Sequence, residues 1–290
     1  MKKRLLTSIF IIALTLSLPI SAGQGLSVGD SFTFEVKNAS GTFEYVTGST
    51  TVSGETKKFR VGSTGVNKGA QLDVDVTAIG ASDVSFNVKN NGTTLASPTS
   101  GAFVFGLSLI LYSLYPFMVM GISSGSVGPI DPSKGVSLGD IWYIAPPSVD
   151  WQDTFDLYND TDNWSAIADV YSESEEEMTV SSLAEWYDAG ETIKFKVSAS
   201  GNYVISADST DLTIIHSVEF HYNTTSYVLQ GYDMLTIITG TYNGQSSEFS
   251  MNVEVAEENY TRRIGIEPLA IILGVILSSG VMVLLRKRRK

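Results

Sequence analysis

The C-terminal end constrains the chain most, because a long apolar run is followed at once by a block of positive charge. Residues 269–285 contain no charged side chain, and residues 286–290 are all Lys or Arg. Extended back to Ile264, with Glu267 and Pro268 expected at the outer interface, the segment reaches about 22 residues, or roughly 33 Å of helix. Such a helix crosses a hydrocarbon layer of about 30 Å, and clustered cations stay on its cytoplasmic side. We therefore predict a linker over 259–265, a transmembrane helix over 266–285 and a basic cytoplasmic tail over 286–290.

The N-terminal end indicates export. A basic start at residues 2–4 precedes an uncharged, mainly apolar stretch over residues 5–20, and small residues follow. This order is typical of a secretory signal peptide. We predict a signal peptide over residues 1–22, removed by cleavage after Ala22 or one residue later; an uncleaved N-terminal anchor is the alternative. The two ends together predict a single-pass membrane protein whose ectodomain lies outside the cell.

The predicted anchor carries a stripe of small residues at Ala270, Gly274 and Ser278. Small residues spaced by four let two membrane helices approach closely. Association of anchors through this stripe is one expectation, and an unpaired anchor is the other.

Export changes how the charge is interpreted. The chain has a net charge of −12, but eight of its 19 Lys and Arg residues lie in the predicted signal and tail, which hold no acid. The exported part therefore has 31 acidic against 11 basic residues. Such a surface repels nucleic acid, whose phosphates need basic partners, so we predict no nucleic-acid partner. The absence of cysteine excludes disulfides, thiol catalysis and Cys zinc sites.

Six Asn-x-Ser/Thr sequons fall between the two ends, and none has proline in its middle position. In a cell that glycosylates its surface proteins, exported sequons are acceptors for N-linked sugar. We predict glycosylation at Asn38, Asn91, Asn159, Asn163, Asn223 and Asn259.

An internal repeat divides the exported part. Residues 25–34 and 135–144 share glycine, serine, glycine and aspartate at equal positions. In each copy a Gly-Asp turn precedes alternating apolar residues that begin a strand, and a weaker third copy starts at Gly190. We predict an N-terminal β-rich repeat over 23–134 and a C-terminal β-rich repeat over 135–258. The alternative is that any β-protein reuses a turn followed by a strand.

Strand patterns dominate both repeats. Alternation typical of half-buried strands occupies residues 71–79, 83–88, 192–197, 203–207, 212–222, 227–238 and 248–255. Turn signals lie at 90–92, 223–226 and 243–244. Helix patterns are few: 151–158 has aromatic residues on one face, and 173–187 begins acidic and is followed by Gly190. The sequence predicts a mainly β, β-rich α+β fold with an antiparallel meander sheet, and a duplicated half-barrel is one architecture that fits.

The most informative internal stretch is residues 93–130, which carry no charge. Within it, 102–122 is apolar enough for a membrane helix, but a second crossing would put the basic tail outside, and Pro116 interrupts the run. Three interpretations stay open: ordinary core, contact with the bilayer, or the wall of an apolar cavity. Flexible apolar side chains suit a lipid-like ligand, and the candidate ligand-binding residues are Phe103, Phe105, Leu109, Leu111, Leu114, Phe117, Met118 and Met120.

Other candidate sites lack the context that their chemistry needs. Ser123 sits in a G-x-S-x-G pattern, but a loop rather than a helix follows it. His216 and His221 point to opposite faces of a strand, so we expect one packed and one exposed histidine rather than a metal pair. The acidic loop 156–163 lacks the glycine and the closing glutamate of a calcium loop, and the acids at 173–177 suit a solvated helix start. We predict no metal site, no cofactor and no enzymatic activity.

Three segments carry a resemblance to a known family. They are the Gly-Asp-Ser-Phe-Thr-Phe opening at 29–34, the segment 144–151 that leads into a helix, and the segment 218–229 that leads into the last hairpin. Together they resemble archaeal choice-of-anchor S domain surface proteins, best over 135–257, and the C-terminal end is similar to that family's interchangeable anchors. The resemblance implies an archaeal envelope, no known activity, and a C-terminal helix that is either permanent or a sorting signal removed by a transpeptidase. The meander with helices is also similar to LolA-like half-barrel carriers, which hold lipid on a concave face.

These observations predict a non-enzymatic, membrane-anchored ectodomain at the cell surface. One form of the prediction has it bind a lipid-like or other apolar ligand around residues 101–123. The alternatives are an envelope-coat or adhesion protein that meets a surface protein partner without a pocket, and a surface serine hydrolase that uses Ser123.

Overall fold

The structure is a computed structural model and describes residues 25–47, 49–113, 130–136, 142–162, 164–165, 179–205, 207, 209–258 and 260. All of these except Tyr260 belong to a unit that ends at Glu258. The predicted signal peptide, the predicted anchor with its small-residue stripe and the basic tail lie outside the described residues. Within the described part, no helix has both the length and the apolar character needed to cross a membrane.

The described residues contain fifteen strands. The first ten are β1 (Ser31–Thr47), β2 (Thr50–Thr56), β3 (Lys58–Val61), β4 (Thr64–Asn67), β5 (Gln71–Ile79), β6 (Asp83–Asn90), β7 (Thr93–Ala96), β8 (Thr99–Gly101), β9 (Ile130–Asp131) and β10 (Gly135–Val136). The last five are β11 (Thr179–Tyr187), β12 (Thr192–Ile205), β13 (Thr210–Asn223), β14 (Leu229–Tyr242) and β15 (Gln245–Glu257). The helices are α1 (Ala102–Ser113), α2 (Trp151–Asn159) and a short 3₁₀ helix (Asp188–Gly190).

The larger of two sheets has eleven strands, and its main path runs β11-β12-β13-β14-β15-β1-β5-β6-β7. β2 pairs with β1, β8 pairs with β6, and all neighbours in this sheet are antiparallel. β11 to β15 form a meander of consecutive strands, which confirms the predicted antiparallel arrangement. The smaller sheet has the order β4-β3-β10-β9.

Strand β1 joins the early part of the chain to its last strand. One edge of β1 pairs with β15 through eleven residue pairs, from Phe34 opposite Glu257 to Tyr45 opposite Ser247. The other edge pairs with β5 at the start of β1 and with β2 at its end. The segments 23–134 and 135–258 therefore contribute strands to one continuous sheet.

The register of the large sheet aligns apolar side chains in rows across neighbouring strands. Alternating β-branched and aromatic residues suit a pleated surface with one buried face, and cross-strand neighbours on that face pack directly on one another. One row crosses five strands and consists of Phe195, Phe220, Tyr232, Val255 and Val36. All five are buried, so the hydrophobic core lies against this inner face of the sheet.

Three parts of the chain cover the inner face: the segment around Tyr143, the two helices and the smaller sheet. Tyr143 lies against β1 and β6, with its ring centroid 4.8 Å from that of Phe34 and 6.4 Å from that of Phe86. Both helices pack over β11 to β13. The smaller sheet covers the far end of β1, where Gly41 is required because a Cβ there would lie 2.4 Å from Val136 Cγ1.

Several local predictions are confirmed. β5 occupies the predicted residues, and α2 extends the predicted helix by one residue. Two Asn-Gly hairpins have the positive φ angles of type I′ turns, 50° and 77° at Asn91 and Gly92 and 50° and 72° at Asn243 and Gly244. These features depend on neighbouring residues alone, which is why the sequence predicts them.

The helix predicted over 173–187 is wrong for its described part, because Thr179–Tyr187 is strand β11. All nine of its residues pair with β12, and this pairing outweighs the helix-like spacing of Leu183, Trp186 and Tyr187. Residues 203–205 likewise form no separate strand, since β12 continues to Ile205.

The second copy of the repeat also differs from the expectation. Residues 137–141 lie outside the described part, and Ile144 forms only an isolated bridge with Val228. Nearby, Ala145 N donates to Tyr227 O and Leu229 N donates to Tyr143 O, each at 2.8 Å. β14 already pairs with β13 and β15 along its length, so this segment meets only the start of the strand and does not become a strand itself.

The Asn159 side chain closes part of the open edge of β11. Its Nδ2 donates to Ala184 O at 3.1 Å, and Ala184 N donates to its Oδ1 at 3.0 Å. The amide thus makes the two bonds that a neighbouring strand would make. An open edge would present those backbone groups to another chain, so α2 protects the sheet through its last residue.

Asn159→Ala is expected to lower the free energy of unfolding by about 1–3 kcal/mol, because two hydrogen bonds are lost. It should also increase self-association, since the Ala184 backbone becomes available for pairing. Urea unfolding and sedimentation velocity measure the two effects.

Two controls isolate the amide. Thr161→Val removes the sequon and keeps Asn159, and Gln152→Ala removes an exposed amide that donates to Asp156 within α2. Both should stay within about 0.5 kcal/mol of the parent protein. An Asn159→Ala protein as stable and as monodisperse as these controls would contradict the protective role.

Candidate apolar binding site

Helix α1 begins where β8 ends and lies against the inner face of the sheet. Ala102 N donates to Ser82 O at 3.4 Å, which ties the first residue of the helix to the β5–β6 turn. Ala102, Phe105 and Leu109 follow the i, i+3, i+7 spacing of one helix face and are buried, the last two to 1% exposure. The described part of α1 is therefore a core element on this face.

Phe105 packs into a group of five aromatic rings that we call the Trp151 cluster. Its ring centroid lies 6.4 Å from that of Trp151 and 5.4 Å from that of Tyr222, edge-on in both cases. The Trp151 ring lies 5.6 to 6.3 Å from the rings of Tyr222, Tyr227 and Phe195. Edge-on and offset rings at these distances stabilise one another by about 0.5–1.5 kcal/mol per pair beyond the burial of their area.

Local structure fixes the position of Trp151 and Tyr222. Trp151 is the first residue of α2, and Asp150 caps that helix, with its Oδ1 accepting from Gln152 N at 2.9 Å and Asp153 N at 3.0 Å. The Tyr222 hydroxyl donates to Trp142 O at 2.8 Å. The cluster is therefore held by a helix cap on one side and by a strand on the other.

The Trp151 indole N–H is a buried donor that has no hydrogen-bond acceptor among the described residues. Trp142 Nε1 and Ser100 Oγ are also buried without a hydrogen-bond partner among the described residues. By contrast, Trp164 Nε1 donates to Leu157 O at 3.4 Å. Buried donors normally have partners, so the Trp151 N–H is a polar group that a bound molecule can satisfy.

The outward face of α1 is also apolar. Phe103 is 39% exposed and Val104 is 44% exposed. A helix that is apolar on both faces is typical of one that is buried on both or that contacts a membrane. The exposed face of α1 therefore requires an explanation beyond the packing of this unit.

The predicted ligand-binding residues separate into three groups. Phe105 and Leu109 lie in the core, and Phe103 lies on the surface. Leu111 belongs to α1, but its side chain is not described. Outside the described residues lie Leu114, Phe117, Met118, Met120 and the candidate nucleophile Ser123.

Sequence reasoning did not find the Trp151 cluster. It identified the aromatic face of α2 and the alternation of β12 and β13, but not that these faces meet Phe105. The available signal was the concentration of aromatic residues at inward positions, such as Trp151, Phe195 and Tyr222. That pattern marks a core position but does not say which rings touch.

A charged cluster occupies the opposite, outer face of the sheet. Lys194 Nζ lies 2.6 Å from Glu185 Oε2, and the Tyr187 hydroxyl donates to the same carboxylate. The hydrogen bond from Lys194, followed by that from Tyr187, lowers the pKa of Glu185. Burial alone would lower the pKa of Lys194, but its hydrogen bonds to Glu185 and Tyr187 outweigh burial and raise it.

Both histidines are buried, so the expectation that one is exposed is wrong. His216 lies on the inner face, with Nδ1 3.0 Å from Thr236 Oγ1, and His221 lies on the outer face, with Nε2 2.6 Å from Glu219 Oε1. Their opposite directions follow from the strand period of two, as predicted. Burial on both faces of β13 was not visible in the alternation. Among the described residues, no three His, Asp or Glu side chains form a group suited to a metal ion.

The Lys194–Glu185 pair is expected to contribute stability in a defined pH window. The lowered pKa of Glu185 adds stability above its ordinary value of 4.5, which is lost as the pH falls further. The raised pKa of Lys194 adds stability below its ordinary value of 10.5, which is lost as the pH rises further. Lys194→Met should therefore lower stability by up to about 1 kcal/mol near pH 7. The difference in free energy of unfolding between Lys194→Met and the parent protein should become smaller below pH 4.5.

Denaturant unfolding between pH 3 and pH 8 measures this difference. Lys134→Met is the matched control, because Lys134 Nζ is exposed and lies 4.0 Å from Asp131 Oδ2. A Lys194→Met effect that does not change with pH would contradict the ion-pair explanation.

The six sequons differ in how free their amides are. Asn91 is exposed in a hairpin turn and, among the described residues, its Nδ2 donates only to the neighbouring Asn90 Oδ1, at 3.4 Å. Asn38 is half-buried in β1, and Asn223 Oδ1 accepts from two backbone N–H groups of its own turn. Asn159 uses Oδ1 and Nδ2 together on Ala184. Asn163 and Asn259 lie outside the described residues.

The two-point contact of Asn159 with Ala184 would have to break for the same amide to carry a sugar. It uses the Nδ2 proton on the same side as Oδ1, and a trans secondary amide puts its new substituent on that side. We therefore expect Asn91 to be glycosylated in protein isolated from its native cell, and Asn159 to be unmodified.

Mass spectrometry of glycopeptides measures the occupancy of both sites. Thr93→Val removes the Asn91 sequon, keeps a β-branched residue opposite Asn90 at the end of the turn, and should abolish the modified peptide. A glycan on Asn159 together with a bare Asn91 would contradict the assignment.

No protein-family model matches the chain, and no curated protein matches its sequence. The similarity to choice-of-anchor S domain proteins and to LolA-like carriers therefore stays a prediction.

Proposed function

We propose that this protein is a non-enzymatic ectodomain, held at the cell surface by its C-terminal apolar segment, that binds a lipid-like molecule around α1 and the Trp151 indole. The export signal and the anchor are inferred from the sequence. The observation that supports the ligand is the Trp151 indole N–H, a buried donor in the aromatic cluster that has no acceptor among the described residues.

The chemistry of the cluster defines the ligand class. A buried donor without an acceptor costs about 1–3 kcal/mol, so a molecule that brings an acceptor oxygen recovers part of that energy. The Phe105 ring of the uncharged helix α1 lies edge-on to the Trp151 ring and makes the surroundings of the donor apolar. Apolar walls with few polar groups are typical of small-molecule sites. The ligand is therefore a long apolar molecule with an ether, ester or hydroxyl oxygen.

The test is to purify the full chain from membranes, extract it with organic solvent and identify apolar molecules by mass spectrometry. Trp151→Phe keeps most of the ring and removes the donor. It should reduce the amount retained by roughly 2- to 10-fold, the equivalent of one hydrogen bond of about 0.5–1.5 kcal/mol.

Trp164→Phe is the matched control, because the Trp164 N–H already has an acceptor in Leu157 O. Trp164→Phe should lower the free energy of unfolding but leave the amount of apolar molecule retained unchanged. The absence of any co-purifying apolar molecule, or an equal loss in both variants, would rule out the ligand role of Trp151.

A further inference from the structure

Several turns meet at one end of the large sheet, which we call the proximal end and define by residues 27–30, 80–83 and 101–104. Gly29 N donates to Val76 O, which places the 27–30 turn beside the last part of β5. Asp83 pairs with Gly101, so the β5–β6 turn lies beside the start of α1.

The last sheet residues of the unit lie toward the same end. β15 runs in this direction, because Glu257 pairs with Phe34 near the start of β1. Glu258 N then donates to Thr33 O at 2.7 Å. The chain therefore leaves the sheet toward the proximal end.

Exposed apolar side chains concentrate at the proximal end. Among the described residues, five large apolar side chains are notably exposed, and three of them are Val28 at 61%, Phe103 at 39% and Val104 at 44%. Ala81 and Ser82 of the β5–β6 turn, which lies beside the start of α1, are small and exposed. Apolar side chains gathered at one end of a soluble unit indicate a contact surface rather than random exposure.

The predicted linker limits how far this end can lie from a membrane. Residues 259–265 are seven in number, and a fully extended chain covers at most about 3.3–3.6 Å per residue, or roughly 25 Å in total. A tether this short gives the apolar side chains a high effective concentration at the bilayer surface.

We propose that the proximal end rests on the outer surface of the membrane, with Phe103 and Val104 in the interfacial layer. This inference depends on the anchor in the proposed function. It explains why α1 is apolar on its outward face as well as its inward one. Partial burial of an aromatic and an aliphatic side chain at the interface is the usual way in which surface helices contact lipid.

Charge narrows the kind of lipid. Asp83, Asp188 and Glu191 are exposed on turns at the same end of the strands. Like charges repel within a Debye length of about 10 Å at 0.1 M salt. The described part of this surface therefore suits neutral or zwitterionic headgroups, while Arg262 and Arg263 of the predicted linker carry two positive charges that oppose this preference.

The absence of cysteine makes a direct test possible. The full chain with Phe103→Cys, labelled with a fluorophore and reconstituted in phosphatidylcholine vesicles, reports lipid contact through quenching by spin-labelled lipid. Gln245→Cys is the control at the opposite end, where β14 turns into β15. Val275→Cys reports the predicted anchor itself. Quenching at residue 103 should exceed that at residue 245 by roughly two-fold or more, as for a side chain within the interfacial layer.

The outcomes separate the two proposals. Strong quenching at residue 275 with equal, weak quenching at 103 and 245 would overturn the docking and leave the anchor intact. No quenching at residue 275 would overturn the anchor. Val104→Cys repeats the measurement at a second exposed position, so a folding defect at residue 103 cannot decide the result.

Lipid charge provides a second readout. In a variant with Arg262→Gln and Arg263→Gln, which removes the two cations of the predicted linker, replacing half of the phosphatidylcholine with phosphatidylglycerol at low salt should reduce quenching at residue 103, and 0.5 M salt should restore it. Stronger quenching on anionic vesicles would overturn the assigned lipid preference.

Discussion

The pairing of β1 with β15 is the interaction on which the rest of the structure depends. These strands are about 200 positions apart in the chain, yet Thr42 lies opposite Ser250. Their contact joins the β5–β7 edge to the β11–β15 meander and makes the inner face continuous. Such long-range pairing forms slowly, because the loop must close before the contacts stabilise it. Without this pairing, each half would be a smaller sheet with an open edge in place of a shared core.

A continuous apolar face determines what must cover it. Tyr143 covers β1 and β6, while Phe105 and Trp151 cover β12 and β13 from two different helices. All three come from the region between the early strands and the meander. This region therefore covers the inner face of the sheet. Within the Trp151 cluster, the Trp151 indole N–H is the one buried donor without an acceptor among the described residues. Core packing and the candidate site are thus the same set of contacts.

Local signals predicted much of this architecture. β5 and the two Asn-Gly hairpins follow from alternation and turn chemistry, which neighbouring residues decide. β11 was mistaken for a helix because Leu183 and Trp186 have helical spacing, and only its pairing with β12 resolves the ambiguity. The burial of His221 and the meeting of Phe105 with Trp151 depend on residues far apart in the chain. No local pattern contains that information, so the candidate site was predicted only through the apolar character of α1.

The central position of β15 limits how the domain could be detached from the anchor proposed above. A protease that cuts within an edge strand often leaves a folded fragment, but a cut inside β15 would remove a neighbour from both β1 and β14. Glu258 still belongs to the sheet, through its bond to Thr33 O and its contact with Gln71 Nε2 at 3.4 Å. A fragment that is released by cleavage and keeps its fold must therefore still include Glu258. If the proposed anchor holds the domain at a membrane, a cleavage that releases the folded domain is restricted to the few residues between Glu258 and the start of the anchor.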